Sequence, residues 1–317
     1  MYPLIALKEV VITGGAGFIG SNLAERLVLD GHHVTILDDL STGSRMNIQH
    51  LIGKENVGFL QGSILDRSLL TDAFKGVECV FHQAARPSVL RSVQDPFSTN
   101  ETNITGTLNV LVAAKDMGVE KVVVASSSSV YGDTPTLPKQ EDMPSNPRSP
   151  YAVSKLAGEH YCRVFSDMFG LRTTCLRYFN VYGPRQNPAS DYAAVIPRFI
   201  SSALNKEAPL IYGDGTQTRD FTFVQDVVKA NILAMEVDAP GVFNIASGRR
   251  VSIDELARML LKMGDVDLEP VKGAARPGDV KHSLADITAA RDRLGYRPDY
   301  SLEKGLEVTL KWYSSLR

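Results

Sequence analysis

Cysteine is scarce in this chain of 317 residues. Its three cysteines, Cys79, Cys162 and Cys175, lie far apart in the sequence. They have neither the short spacing of a metal site nor the even pairing of a disulfide framework. We therefore expect three buried or half-buried thiols in a reducing compartment, and no bound metal.

The sequence also lacks long apolar runs and an excess of charge of one sign. No run approaches the roughly 18–20 apolar residues that a membrane-spanning helix needs. The formal net charge is −2, which gives no indication of a surface for nucleic acid or another polyanion. The run Val10-Val11-Ile12 leads directly into a glycine loop, so we expect a cytoplasmic protein without a signal peptide or a membrane contact.

Short, continuous apolar runs alternate with helix-length segments through the first half of the chain. The segments Ser21–Leu29 and Thr105–Met117 are of helix length. Strand and helix at this rhythm predict an α/β fold with a doubly wound parallel sheet. The predicted strands are Val10–Ile12, Val34–Leu37, Val57–Leu60, Cys79–His82 and Val122–Ala125.

The second half of the chain breaks this rhythm. Prolines and Gly-Asp turns interrupt residues 183–220, and the segment from Val251 onward is mostly helical. We predict that these parts form a smaller C-terminal lobe. Between them, the chain is expected to return to the first lobe near Phe221–Ala246.

A glycine-rich loop follows the first predicted strand. Gly14, Gly17 and Gly20 recur at every third position, with Phe18 and Ile19 between the last two. The first glycine allows a tight turn, the second lets the backbone approach a pyrophosphate, and the third lets the helix pack closely on the strand. The helix N-terminus presents free N–H groups and a positive partial charge. The loop therefore predicts a dinucleotide-binding site.

An acidic residue narrows the choice of dinucleotide. Asp38 stands at the end of the second predicted strand, where a carboxylate can accept hydrogen bonds from both hydroxyls of the adenosine ribose. The same carboxylate would repel a 2′-phosphate. The sequence therefore favours NAD over NADP.

A second motif has the form of a helix start. Ser149 is a suitable N-cap and Pro150 suits the first helical position. Tyr151 and Lys155 then lie on one face, four residues apart. A free tyrosine has a pKa near 10, so acting as a base near pH 7 requires a shift of roughly three units, about 4 kcal/mol. The Lys155 ammonium and a cationic nicotinamide ring can supply that shift.

A serine-rich loop follows the strand Val122–Ala125. The serines Ser126–Ser129 precede Val130-Tyr131-Gly132. Because the carboxyl ends of parallel strands lie at the ligand crevice of such a sheet, a hydroxyl here can hydrogen-bond to a substrate oxygen that loses its proton. The loop predicts a third reactive group beside the tyrosine and the lysine.

These motifs resemble one family. In order along the chain stand the glycine loop, His82-Gln83-Ala84-Ala85, the serine run ending in Tyr131-Gly132-Asp133, Tyr151-x-x-x-Lys155, and Leu176-Arg177-Tyr178-Phe179-Asn180-Val181-Tyr182-Gly183-Pro184. Together they resemble the extended short-chain dehydrogenase/reductases that modify nucleotide sugars, above all the UDP-hexose 4-epimerases and their UDP-N-acetylglucosamine branch. The similarity runs from Val10 to Trp312. It implies an NAD-binding Rossmann domain of 1–179 with 221–246 and a UDP-sugar-binding domain of 180–220 with 247–317.

The resemblance also implies roles for individual residues. Ser127, Tyr151 and Lys155 match the catalytic residues, of which Ser127 and Tyr151 also contact the substrate. Arginine forks suit diphosphate oxygens, and two matching positions hold arginine. The further implied substrate contacts are Asn103 and Asn180, Tyr212 near the uracil, Arg219 and Arg276 on the diphosphate, Asp279 on the uridine ribose, and Ser283 beside the sugar.

The implied cofactor contacts include one departure from the family pattern. Where many relatives have an aspartate for the adenine amino group, this chain has Ser63, which can still hydrogen-bond but carries no charge. The implied NAD contacts are Gly14, Gly17, Phe18, Ile19, Gly20, Asp38, Ser63, Ile64, Gln83, Ala84, Ala85, Tyr151 and Lys155.

The reaction implied is 4-epimerisation of a UDP-sugar through a transient 4-keto sugar. Dehydratases that resemble this chain carry Asp-Glu directly after the catalytic hydroxyl residue, and decarboxylating relatives also carry an acid nearby. Here those positions are Ser128 and Ser129. We expect interconversion of UDP-glucose and UDP-galactose. Since relatives restricted to these two tend to have tyrosine where Ser283 stands, we also expect the N-acetyl pair.

Two alternatives stay open. A UDP-glucuronate 4-epimerase or decarboxylase needs a cation for the C6 carboxylate, which Arg86, Arg91 or Arg185 could supply. Asn180 argues against it, because glucuronate epimerases that resemble this chain tend to carry threonine there. The other alternative is a non-catalytic NAD-sensing protein, against which the intact reactive residues argue. The resemblance further implies a homodimer formed through two helices from each subunit.

Overall fold

Parallel strands make up the central sheet of this computed structural model, which describes residues 7–187, 194–275 and 280–316. The strands of the described residues are β1 (Glu9–Thr13), β2 (His33–Asp38), β3 (Val57–Gln61), β4 (Cys79–His82), β5 (Lys121–Ser127), β6 (Arg172–Tyr178), β7 (Val181–Tyr182), β8 (Leu210–Tyr212), β9 (Thr218–Arg219), β10 (Thr222–Phe223), β11 (Gly241–Ile245), β12 (Val251–Ser252) and β13 (Val271–Gly273). Seven of them pair in the order β11-β6-β5-β4-β1-β2-β3, always parallel. The predicted doubly wound sheet is confirmed.

The α-helices of the described residues are α1 (Phe18–Leu29), α2 (Arg67–Ala73), α3 (Val89–Gln94), α4 (Pro96–Asn100), α5 (Gly106–Asp116), α6 (Pro150–Phe169), α7 (Val195–Asn205), α8 (Val224–Glu236), α9 (Ile253–Met263) and α10 (Leu302–Ser314). Some of them cover the two faces of the central sheet. On one face α1 and α8 pack around Leu27 and Val227. On the other face α2, α5 and α6 pack around Leu70, Leu111 and Phe165.

The predicted elements of the first half differ from the observed ones mainly at their ends. The first helix begins at Phe18 rather than Ser21, because Gly17 already serves as its N-cap residue. The helix predicted over Thr105–Met117 begins at Gly106 and follows a π-helical turn, Glu101–Thr105. A one-residue insertion of this kind leaves no signal in the apolar pattern.

A second apolar core forms around α7, α9 and α10. Its buried residues include Phe199, Leu256, Leu260 and Leu306. The π-helical segment Ala290–Leu294 instead contributes to the core of the central sheet. The predicted division at residue 247 therefore assigns to the second lobe a segment that packs on the first core, and it stays a prediction.

The topology directs the carboxyl ends of the sheet strands to one edge. The glycine loop follows β1, Asp38 ends β2, Gln83 follows β4, and Ser127 ends β5. In an open parallel sheet this edge, at the point where the strand order reverses, is where ligands bind. In the described residues, no helix combines the length and apolar composition that crossing a membrane requires.

Candidate active site

The glycine loop leaves no room for side chains at its two ends. A Cβ at Gly14, whose φ is +72°, would lie 2.5 Å from the amide nitrogen of Ala84. A Cβ at Gly20 would lie 2.2 Å from the carbonyl oxygen of Gly14. The backbone of the loop therefore packs against the segment that follows β4 and against itself. The first residues of α1, Phe18 to Gly20, line the cavity described next.

A cavity of about 660 Å³ lies at the edge of the sheet beside this loop. Ser63 is not among the described residues that line it, and its Oγ accepts a hydrogen bond of 3.2 Å from the amide of Leu65. The other predicted cofactor contacts all line it: Gly14, Gly17, Phe18, Ile19, Gly20, Asp38, Ile64, Gln83, Ala84, Ala85, Tyr151 and Lys155. We call this space the cofactor cavity.

Asp38 connects the cofactor cavity to the glycine loop. Its Oδ2 accepts a hydrogen bond of 2.9 Å from the amide of Ala16, and its Oδ1 accepts one of 2.8 Å from the amide of Leu40. Burial raises the pKa of Asp38, while these backbone bonds act in the opposite direction. The carboxylate is thus held at the cavity wall with lone pairs still available for ribose hydroxyls.

These features together fit a dinucleotide. The glycine loop offers the close backbone approach that a pyrophosphate needs, and Asp38 stands where a ribose is recognised. The cavity extends from there to Tyr151 and Lys155. The residues present therefore fit NAD, with its adenosine half near Asp38 and its nicotinamide half near Tyr151.

Helix α6 carries two of the predicted reactive residues. The hydroxyl of Ser149 accepts a hydrogen bond of 3.1 Å from the amide of Ala152, and Pro150 is the first helical residue. This N-cap fixes the start of the helix. The ammonium nitrogen of Lys155 lies 5.9 Å from the ring centroid of Tyr151.

The reactive groups have shifted pKa values in the protein alone. Burial raises the pKa of Tyr151, and a hydrogen bond with Ser127 acts in the opposite direction. Burial lowers the pKa of Lys155 to about 8. The structure therefore brings Ser127, Tyr151 and Lys155 together. Ionising the phenol near neutral pH requires a further positive charge beside it.

A second cavity, of about 340 Å³, adjoins the first and shares Ser88 and Ala194 with it. Asn180, Tyr212 and Arg219, three of the predicted substrate contacts, line it. The combination of an amide, an aromatic ring and a guanidinium suits a ligand with both a base and a phosphate. We call it the substrate cavity.

Asn103 is buried between the loop after β4 and helix α6. Its Oδ1 accepts a hydrogen bond of 2.7 Å from the amide of Arg86, and its Nδ2 donates to the carbonyl oxygen of Arg86 and to Ser154 Oγ. The residues of the described chain that line the two cavities do not include it. Asn103, on the π-helical turn, thus clamps the loop after β4 to helix α6.

Three predicted substrate contacts belong to the last part of the chain. Ser283 lies beside β9, and its amide donates a hydrogen bond of 3.0 Å to the carbonyl oxygen of Thr218. It is therefore next to the strand that carries Arg219. Arg276 and Asp279 lie outside the described residues.

Arg198 is a candidate contact that the sequence prediction did not include. It lies on α7, lines the substrate cavity, and packs over the ring of Tyr212 with 5.0 Å between guanidinium and ring centroid. A charged residue on an amphipathic helix resembles any surface residue in the sequence, which is why no pattern indicated it.

Asp220 is a second feature that the sequence prediction missed. It is fully buried, and its carboxylate accepts hydrogen bonds from Ser247, Gly248 and Ala285. Burial raises its pKa to about 6, while these bonds act in the opposite direction. Through Ala285, Asp220 holds the segment near Ser283 against β9, the strand that carries Arg219. In the sequence, the position of Asp220 directly after the predicted substrate contact Arg219 was the one sign of this role.

Comparison with known proteins agrees with this geometry. Residues 10–246 match the NAD dependent epimerase/dehydratase family. The chain belongs to this family. NAD as the cofactor, predicted from the glycine loop and Asp38, is thereby confirmed. The predicted enzyme class, an isomerase that uses NAD, is confirmed by the relatives described next.

Individual relatives cover almost the whole chain. A UDP-glucose 4-epimerase of Mycolicibacterium smegmatis is 40% identical over 309 residues, which are 96% of this chain and 98% of the relative. A UDP-N-acetyl-alpha-D-glucosaminuronate decarboxylase of Bacillus cytotoxicus is 38% identical over 322 residues, 98% of each chain. The structure is similar to that of a UDP-N-acetylglucosamine 4-epimerase from Methanobrevibacter ruminantium in complex with UDP-N-acetylmuramic acid, with a TM-score of 0.95, 42% identity, and 99% of this chain and 100% of that chain covered.

Proposed function

We propose that this protein is an NAD-dependent 4-epimerase of UDP-sugars that acts through a transient 4-keto sugar. The observation that carries the proposal is the position of Ser127, Tyr151 and Lys155. Tyr151 and Lys155 line the cofactor cavity, Ser127 at the end of β5 is hydrogen-bonded to Tyr151, and the two positions after Ser127 hold serines. Relatives named as 4-epimerases cover nearly the whole chain.

Tyr151 and Ser127 carry out the proton transfers at C4 of the sugar. Bound NAD would supply the acceptor and later the donor of the C4 hydride, and its cationic nicotinamide ring would favour the phenolate of Tyr151. Tyr151 removes the proton of the C4 hydroxyl as this oxidation proceeds, and Ser127 supports it by hydrogen bonding. The same phenol returns the proton to the oxygen when the sugar is reduced from its other face. The net change is inversion at C4 alone.

Lys155 assists the tyrosine by its charge. Its ammonium group is oriented by a hydrogen bond to the carbonyl oxygen of Ala125 and lies near the phenol. A cation at this distance favours the phenolate over the phenol.

The substrate cavity has to hold UDP while the sugar turns. Arg219 and Arg198 supply positive charge, and Tyr212 supplies an aromatic surface for a base. Holding the nucleotide keeps the 4-keto sugar near the reactive groups through its rotation, which is an entropic advantage. With Ser283 beside β9, we propose that the N-acetylated UDP-hexoses are accepted along with UDP-glucose and UDP-galactose.

The alternative is a UDP-glucuronate 4-epimerase or decarboxylase. It requires a cation near the sugar carboxylate, and Arg185 is committed elsewhere. Its guanidinium lies 2.6 Å from Glu25 Oε2 and donates 3.1 Å to the carbonyl oxygen of Ser21, both on α1. The remaining candidates are Arg86 and Arg91, so the substrate test below includes the acid.

We further propose that the enzyme is a homodimer. Phe97 on α4 is 86% exposed, and Met168 and Phe169 near the end of α6 are 73% and 54% exposed. Large apolar side chains on neighbouring helices indicate an interface. Sedimentation equilibrium measures the mass directly, and a monomer at micromolar concentration contradicts this part of the proposal.

The substrate experiment is incubation of the purified protein with five UDP-sugars and no added NAD. They are UDP-glucose, UDP-galactose, the two N-acetylhexosamines and UDP-glucuronate. We expect each neutral sugar to give its C4 epimer, with UDP-glucuronate unchanged. Carbon dioxide release or glucuronate turnover in the absence of hexose turnover favours the alternative.

A further inference from the structure

A buried ion pair lies directly behind the reactive residues. Arg177 on β6 donates two hydrogen bonds to the carboxylate of Glu159 on α6. They measure 2.9 Å from Nε to Oε1 and 2.8 Å from Nη2 to Oε2. Both side chains are only 5% exposed. The third bond to the carboxylate comes from Ser126 Oγ, which donates 2.5 Å to Oε1.

The hydrogen bond from Ser126 to Glu159 links the ion pair to the reactive residues. Ser126 immediately precedes Ser127, and Glu159 follows Lys155 by four residues and Tyr151 by eight, so all three lie on one face of α6. The Glu159–Ser126 bond therefore joins the same two segments that carry the three reactive groups. One helical turn rises about 5.4 Å, so fixing Glu159 fixes Lys155 and Tyr151 along the axis.

The remaining guanidinium nitrogen of Arg177 is hydrogen-bonded as well. Arg177 Nη1 donates a hydrogen bond of 2.8 Å to the hydroxyl of Tyr131, which in turn donates 2.7 Å to Asn244 Oδ1. Tyr131 ends the serine-rich turn that begins after Ser127. The pair thus holds both the start and the end of that turn against α6.

Stability alone gives little reason for such a pair. A buried ion pair often contributes no more to the free energy of unfolding than apolar side chains of the same volume, because burial costs both charges their hydration. What the pair adds is a defined geometry, since the guanidinium fork and the carboxylate match in one orientation. The geometry it defines here is that of the reactive site.

We propose that Glu159 and Arg177 are positioning residues for the epimerase reaction. They set the axial position of α6 against the end of β5, so that Ser127 reaches Tyr151. This rests on the proposed function for its rate measurements. A misplacement of about 1 Å at a reacting group can cost roughly 100-fold in rate, so the effect falls on kcat rather than on substrate or NAD binding.

The test uses a double variant that leaves no unpaired charge. Glu159→Leu with Arg177→Met replaces the pair by apolar side chains and keeps the net charge. We expect bound NAD and the KM for UDP-galactose to stay within twofold of the wild type, and kcat to fall by about 10- to 100-fold. Because the hydrogen bond with Ser127 lowers the pKa of Tyr151, its loss raises that pKa and moves the acid limb of the kcat profile to higher pH.

Two further variants separate positioning from stability. Leu70→Ala opens a cavity in the core under α2, at a residue that lines neither ligand cavity, and serves as the control of lowered stability with an unchanged pH profile. Arg177→Lys keeps the charge but loses the fork, and it serves if the double variant does not fold; we expect a smaller shift in the same direction. A wild-type pH profile and kcat in the folded double variant, or in Arg177→Lys, overturns the proposal.

One readout does not depend on turnover. The titration of the Tyr151 phenol follows from the absorbance difference between each protein and its Tyr151→Phe counterpart. If the wild type epimerises no UDP-sugar, the proposed function fails, yet a raised phenol pKa in the double variant still supports positioning. An unchanged phenol pKa contradicts it.

Discussion

The ammonium group of Lys155 donates a hydrogen bond of 2.8 Å to the carbonyl oxygen of Ala125 at the end of β5. This bond ties the reactive helix to the strand that leads into the serine turn. It also holds the Lys155 ammonium group at a buried position, and this burial lowers the pKa of Lys155 to about 8.

The lowered pKa of Lys155 predicts a pH-dependent cost in stability. Between pH 8 and 10.5 the unfolded chain binds a proton at Lys155 that the folded chain has lost, so the free energy of unfolding rises with pH in this window. Relative to Lys155→Met, we expect the wild type to gain about 1–3 kcal/mol from pH 8 to 10.5. Urea denaturation of both proteins measures it, and parallel curves contradict it.

The carboxylate of Asp38 predicts the choice of cofactor. Asp38→Ala removes the acceptor for the ribose hydroxyls and the repulsion of a 2′-phosphate. Hydrogen bonds to a charged group are worth about 1.5–3 kcal/mol, so we expect NAD affinity to fall by roughly 10- to 100-fold and the preference over NADP to shrink. Calorimetric titration with both dinucleotides measures the two affinities. Asp72→Ala, at an exposed site on α2, is the control, and an unchanged preference in Asp38→Ala refutes the assignment.

Close packing of the glycine loop predicts the effect of one added methyl group. The Cβ of Gly20→Ala would lie 2.2 Å from the carbonyl oxygen of Gly14, so the backbone has to shift at a cost of about 1–3 kcal/mol. We expect purified Gly20→Ala to retain far less NAD. In Gly158→Ala, on α6, the nearest atom to the new Cβ is 3.7 Å away. Equal NAD content in the two variants is the result that rejects this account.

How far the sequence alone predicts the molecule depends on how local each signal is. The glycine loop, Asp38 and the capped start of α6 lie within short segments whose chemistry determines their conformation, and the structure brings them together. Glu159 and Arg177 stand 18 positions apart on a helix and a strand, and no periodic pattern connects them. The π-helical turn that buries Asn103 depends on the packing of α4, α5 and α6, so its clamp on Arg86 could not be read from the sequence.

The small side chain of Ser283 predicts the size of sugar that the enzyme accepts. A 4-keto sugar has to rotate, and an acetamido group needs additional volume during the rotation. Overpacking a fitted site costs about 1–3 kcal/mol, roughly ten- to hundred-fold in rate. We expect Ser283→Tyr to suppress turnover of UDP-N-acetylglucosamine and to spare UDP-galactose.

The matched control for this substitution is Ser283→Ala, which keeps the small volume and loses the hydroxyl. It is expected to turn over both substrates at rates close to those of the wild type. The ratio of kcat/KM for the two substrates is the quantity to compare. Wild-type enzyme that converts UDP-galactose but neither N-acetylated substrate shows that Ser283 does not open the site to larger sugars.

The most direct test of the account is the conversion of UDP-galactose to UDP-glucose by the protein as purified, compared with its Tyr151→Phe variant. Loss of the general base is expected to lower kcat by about two orders of magnitude or more while NAD content and the thermal midpoint stay the same. Tyr161→Phe, a hydroxyl removed on the same helix, is expected to be fully active. No conversion by the wild type with NAD present, or equal rates for the wild type and Tyr151→Phe, would contradict the account.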